Sequence, residues 1–171
     1  EPNDNKIEIK DSSIFFKNND DEVLFINRID NIKFFYDQNK LSNVLLSKNK
    51  IFNLPFKLNI INDKFNKNIY SKFDSKKIRL VIENEIDLSQ KYLKGVLDVL
   101  LVNKNTSLNY EIKKDSLKFS SNENRKKYNG YIDFKPFYLS VNFNYDGLST
   151  KNFLNEESVF TDVLKSELLN N

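Results

Sequence analysis

The chain has 171 residues, 39% of them apolar, with 27 basic against 24 acidic side chains and a net charge of +3. It contains no His and no Cys, which excludes Ser-His-Asp and Cys-His catalysis, the usual zinc ligands and any disulfide framework. The two signs of charge are interleaved; the nearest things to basic clusters are Lys76-Lys77-Ile78-Arg79 and Arg125-Lys126-Lys127, so a nucleic-acid partner is not expected.

In chain order, the dominant period is two. Ile7 and Ile9 alternate with charged residues, Ile14-Phe15-Phe16 follows, and Val23-Leu24-Phe25-Ile26 comes after the polar turn Asn18-Asn19-Asp20-Asp21. Ile32, Phe34 and Tyr36 fall on one side of the next segment. Residues 38–47 break the pattern: Leu41, Val44 and Leu45 lie at helical spacing after Asp37, a residue suited to cap, so a short helix is predicted there. Alternation then resumes with Ile78, Leu80 and Ile82 against Arg79, Val81 and Glu83. It continues with Gly95, Leu97, Val99 and Leu101 against Val96, Asp98, Leu100 and Val102. Leu108, Tyr110 and Ile112 oppose Asn109, Glu111 and Lys113, and Phe137, Leu139, Val141 and Phe143 oppose Tyr138, Ser140, Asn142 and Asn144.

These segments read as half-buried strands with one wet face. Turn signals separate them at Asn62-Asp63, Asn103-Lys104-Asn105, Ser121-Asn122-Glu123-Asn124, Asn129-Gly130 and Asp146-Gly147. Short connections of this kind imply antiparallel hairpins. With only three Gly, Asn and Asp are expected to supply most left-handed turn positions. A second helix is predicted over residues 153–169, with Asn155 as cap, Glu156 and Glu157 in the first turn, and Phe160, Val163, Leu164 and Leu168 as its stripe. The fold expected is all-β: a long curved antiparallel sheet with these two helices.

Candidate chemistry is sparse. The tight carboxylate groups are Asp20-Asp21-Glu22, Glu83 with Glu85, and Glu156-Glu157. The first is a turn without the spaced oxygen ligands of a calcium loop, and the last is ordinary helix-start electrostatics. No Gly-rich phosphate loop occurs. No catalytic residue, metal ligand or cofactor is assigned, and the chain is expected not to be an enzyme. The remaining feature is apolar: Ile78, Leu80, Ile82, Leu97, Val99, Leu101, Leu139 and Val141 are expected to form one face of the sheet, with Arg79, Glu83, Asp98 and Asn142 towards water. An open apolar sheet face is a candidate site for acyl chains or other hydrophobic ligands.

Three stretches carry a family resemblance. Ile7 to Ile32 is a strand pair in which a short polar turn joins two apolar runs. Ile51-Phe52-Asn53-Leu54-Pro55-Phe56-Lys57-Leu58 reads as a strand with a central Pro-Phe. Gly130-Tyr131-Ile132-Asp133-Phe134-Lys135-Pro136-Phe137 has the form Gly-x-Ile-x-Phe-x-Pro-Phe and runs on towards Gly147-Leu148. In these features, and over nearly its whole length, the chain resembles the AsmA-like envelope proteins of Gram-negative bacteria, in particular versions from AT-rich α-proteobacteria. The resemblance implies a β-sheet folded like an open taco, whose apolar groove accepts phospholipid acyl chains for lipid transfer or outer-membrane assembly. It further implies a periplasmic location and tethering to the inner membrane through an anchor not present in this sequence. Residues 1–171 then form a single segment of a larger repetitive protein. The alternative is a closed β-sandwich or barrel, a structural or adhesive module of a surface protein. More distant is a carbohydrate-active enzyme, which needs two carboxylates converging about 5–9.5 Å apart in a cleft.

Overall fold

The computed structural model describes residues 6–122 and 128–144. These residues form eleven strands: β1 (Ile7–Lys17), β2 (Val23–Asp37), β3 (Ser42–Ile51), β4 (Leu54–Asp63), β5 (Asn68–Ser75), β6 (Leu80–Asp87), β7 (Leu93–Leu101), β8 (Lys104–Lys113), β9 (Ser116–Ser121), β10 (Tyr128–Phe134) and β11 (Phe137–Phe143). They make one sheet in strict sequence order, every neighbouring pair antiparallel. Each strand touches only the strands adjacent to it in sequence, so β1 and β11 do not meet and the sheet is open, not a barrel. At roughly 4.8 Å per strand spacing the sheet is about 48 Å wide along its surface.

Such a meander follows from the sequence. Alternating segments joined by connections of two to six residues can only fold back on their predecessors. Asp37, Asp63 and Asp87 are the last residues of β2, β4 and β6, and all three cap the turn that follows. Asp37 Oδ1 accepts from the amides of Asn39 and Lys40 at 3.0 and 3.2 Å, Asp63 Oδ1 from Asn66 at 2.9 Å, and Asp87 Oδ1 from Ser89 at 2.7 Å. At the opposite end Asn18 Oδ1 accepts from the amides of Asp20 and Glu22, both at 2.9 Å. Asp11 (φ 48°) and Asp30 are skipped together in the pairing of β1 with β2, and the register of β2 with β3 shifts at the same place. These paired bulges bend the sheet at its first edge.

Several local expectations are corrected. Residues 38–47 are not helical: 38–41 is a turn and β3 begins at Ser42. Asp37 does cap backbone N–H groups, but Leu41 turns left-handed (φ 49°) and ends the turn. Val44 and Leu45 are then taken by Phe35 and Phe34 on one side and Ile61 and Ile60 on the other. A short apolar run is ambiguous in period, and strand partners decided this one. Ile51 to Leu58 is not one strand, because Phe52 (φ 47°) and Asn53 (φ 60°) make a two-residue hairpin turn between β3 and β4. Asn129-Gly130 lies inside β10 and is not a turn. Among the described non-glycine residues, left-handed positions fall to Leu41, Phe52, Lys67, Arg79 and Val102 as well as to Asp11, Asp21 and Asn53, so Asn and Asp supply three of these eight. The helix predicted over 153–169 and the Asp146-Gly147 turn lie outside the described residues.

Candidate functional site

Residues directly opposite in an antiparallel pair share a face, so the register fixes which side chains meet. One row runs Ile9, Ile32, Ser47, Leu58, Phe73, Ile82, Val99, Thr106 across β1 to β8. The next runs Ile7, Phe34, Leu45, Ile60, Ser71, Asn84, Leu97, Leu108 and on to Ser121. Extended to every strand, this side consists of Ile, Leu, Val, Phe and Tyr with Asn, Ser, Thr and two Gly. Its one charged residue among the described strands is Lys104, at the rim where β8 begins. The opposite side carries the charges: Glu8, Lys33, Lys48, Lys57, Lys72, Glu83, Asp98 and Glu111 among others.

Seven of the eight residues singled out in the sequence lie on the uncharged side. Leu80 faces Leu101, Ile82 faces Val99, and Leu97 is one pair further on, opposite Asn84. Leu139 and Val141 join them through Ile132 and Gly130 on β10, which pair with Leu117 and Phe119 on β9. Ile78 does not belong to the face: it lies in the 76–79 turn, ahead of β6. Arg79 is in the same turn, whereas Glu83, Asp98 and Asn142 are on the charged side.

Two glycines shape the uncharged side, and neither is a turn residue. Tyr110 lies flat over Gly95, occupying the place a Cβ would take, and its hydroxyl reaches β6 to donate to Asn84 Oδ1 at 2.7 Å. Burial raises the Tyr110 pKa above that of an ordinary phenol. Phe119 lies over Gly130 in the same way. Phe56 and Phe73 stack with centroids 4.9 Å apart, and Phe16 and Phe25 at 4.3 Å. Polar atoms on this side are only partly paired: Asn49 Nδ2 donates to Ser47 Oγ, while Asn49 Oδ1 and Asn27 Oδ1 are buried without a hydrogen-bond partner. The result is a broad, uncharged surface with rings laid along it.

On the charged side, Lys72 Nζ reaches Glu83 at 2.5 Å. Hydrogen bonds from Lys72 and then Tyr70 hold the Glu83 carboxyl below the usual carboxylate range. Asp98 stands directly opposite Glu83. The pair sits on an open sheet surface, and a carboxyl with a lowered pKa is the reverse of the proton donor that glycoside cleavage needs. Glu8 accepts from Asn31 Nδ2 at 2.9 Å, with Lys10, Lys33 and Lys6 at 3.7, 3.8 and 4.0 Å. Among the described residues no group of His, Cys, Asp or Glu could hold a metal ion. No helix among them is long and apolar enough to cross a membrane. Sequence reasoning missed the ring-over-glycine contacts, whose only signal was Gly in the middle of an alternating segment. Compared with protein-family models, curated proteins and solved structures, the chain finds no match.

Proposed function

We propose that this chain is a non-catalytic, groove-forming segment of an AsmA-like envelope protein, whose uncharged sheet face holds the acyl chains of phospholipids during transfer or outer-membrane assembly. The observation that carries the reading is the sorting of charge. Across eleven strands one side is uncharged up to its rim, although 30% of the chain is charged. Domains normally bury such a face under a second layer. Here the described residues make a single layer, and an apolar surface of this breadth calls for an apolar partner. Acyl chains suit it because they need no hydrogen bonds and no fixed register. The uncharged rows offer Ile, Leu, Val and Phe on most strands, interrupted only by small or neutral residues such as Ser47 in the first and Ser71 and Asn84 in the second. On this reading the segment works in the periplasm, tethered to the inner membrane through another part of its polypeptide.

The test is native mass spectrometry of the chain purified from a lipid-containing extract, paired with titration by a fluorescent fatty acid. Bound phospholipid and saturable uptake of the probe are expected. A lipid-free chain that takes up no probe would sink the proposal.

A further inference from the structure

The charged side of the sheet is not uniform. On β2, β3 and β4, Arg28 stands directly opposite Lys50 and Lys48 directly opposite Lys57, with Lys48 and Lys50 on the same face of β3. Opposed side chains have their Cβ atoms about 4.5–5.5 Å apart, a spacing at which like charges repel. None of the four is in an ion pair with a described carboxylate. Their neighbours on the same surface are: Lys33 has Glu8 at 3.8 Å and Lys72 has Glu83 at 2.5 Å. The carboxylates nearest by register are Asp74, opposite Lys57, and Asp30 in the bulge beside Arg28.

A second observation adjoins the first. Arg28 and Lys50 share a hollow of about 360 Å³ with Leu24, Ile26 and Phe52. Phe52, Leu24 and nearby Phe15 are 64%, 59% and 56% exposed. Leu24 and Phe15 project from the charged side of β2 and β1, where alternation would call for polar residues. In the acidic turn next to them, Asp21 is paired with Lys17 at 3.4 Å, and Glu22 keeps its charge while accepting a hydrogen bond from Asn18 Nδ2 at 2.9 Å. Unpaired cations beside exposed apolar side chains suit the boundary between anionic headgroups and acyl chains. A phosphate in solution would meet the cations but leave Phe15, Leu24 and Phe52 in water.

We propose that Arg28, Lys48, Lys50 and Lys57, with Phe15, Leu24 and Phe52, dock the sheet on a membrane surface bearing anionic phospholipid headgroups. The four cations of the patch, Phe15 and Leu24 lie on the side opposite the acyl-chain surface, whereas Phe52 is in the β3–β4 turn at the end of the sheet, its ring centroid 6.1 Å from that of Phe25. The patch stands whether or not the acyl-chain surface carries lipid. The experiment is flotation of the chain with phosphatidylcholine vesicles, with and without phosphatidylglycerol. Binding is expected only with phosphatidylglycerol, and salt should weaken it. Lys48→Gln with Lys57→Gln should lower partitioning roughly 25-fold, at roughly fivefold per cation removed. The same pair should raise the melting temperature, because it relieves a like-charge contact. Lys94→Gln with Lys118→Gln, on the same side but outside the patch, should leave flotation unchanged. Any of these results would overturn the proposal: binding without phosphatidylglycerol, equal loss in both double variants, no effect of the Lys48 and Lys57 changes, or displacement by soluble glycerol phosphate at matched headgroup concentration. Val99→Asp on the opposite side separates the two readings. If it abolishes fatty-acid uptake and spares flotation, the two surfaces are independent, and if it abolishes flotation the charged patch is not the docking site.

Discussion

Gly95 and Gly130 look alike in the sequence, each a lone glycine among alternating residues, yet their surroundings differ in stiffness. A methyl group at position 95 meets only the far end of the Tyr110 ring, which can swing away at the cost of its hydrogen bond to Asn84. At position 130 it meets Phe119 and also the backbone carbonyl of Ser140 on the paired strand. A side chain can change rotamer; a ladder carbonyl can move only with its strand. Gly95→Ala is therefore expected to cost about 1–2 kcal/mol, mainly the lost hydrogen bond and ring packing. Gly130→Ala should cost about 2–3 kcal/mol or more and loosen the β10–β11 pairing. Urea unfolding of both variants checks the order, and equal midpoints would contradict it. Val102 poses the opposite problem, a β-branched residue held left-handed at φ 60°, a conformation that glycine or asparagine would adopt with less strain.

At the scale of elements, the turn caps make a measurable contribution through their charge. The carboxyl groups of Asp63 and Asp87 are held below their ordinary value, Asp63 mainly by the Asn66 amide and Asp87 mainly by Ser89. Glu8 is lowered first by Asn31 and Glu83 first by Lys72. A carboxylate with a depressed folded pKa stabilises the fold above its unfolded value, and that contribution is lost as pH falls through the folded value. The melting temperature should thus stay level from neutrality down to about pH 5 and fall below pH 4.5 to 3.8, the ordinary range of these groups. A decline beginning near neutrality would contradict this, since the chain has no His to titrate there. The same elements show what could be read in advance. Strands β6, β7, β8 and β11 were legible because apolar and polar residues alternate cleanly in them. The stretch over 38–47 was misread because its four apolar residues fit both periods, and only the partners Phe34, Phe35, Ile60 and Ile61 resolve it. Strand β5, Asn-Ile-Tyr-Ser-Lys-Phe-Asp-Ser, gave little signal because polar residues occupy both of its faces. The basic patch was invisible for a different reason. Arg28, Lys48, Lys50 and Lys57 are assembled by register from three strands.

For the whole molecule the issue is what a single layer does with an apolar side. The sequence placed Leu80, Ile82, Leu97, Val99, Leu101, Leu139 and Val141 together because period two fixes every face within a strand, and hairpin register carries that choice to the next strand. It could not say whether a second layer covers them. Val99→Asp asks that question. Val99 sits opposite Ile82 on one side and Thr106 on the other, with Leu97 and Leu101 beside it on its own strand. Under a closed second layer, the new carboxylate would be buried without a partner and should cost several kcal/mol, roughly 3–5, enough to unfold many domains. On an open face water reaches it from one side, so the cost should fall to about 1–2 kcal/mol, the lost apolar contact plus partial desolvation. The acyl-chain reading adds a second requirement, because an ion in the middle of the track must be desolvated by any chain lying over it. The expected outcome is a folded variant, slightly less stable, whose fatty-acid uptake falls at least tenfold, about 1.4 kcal/mol of binding. Asp98→Asn, one residue away but on the charged side, should leave uptake unchanged. A variant that unfolds outright would point to a covered core, and a folded variant with undiminished uptake would place the lipid elsewhere.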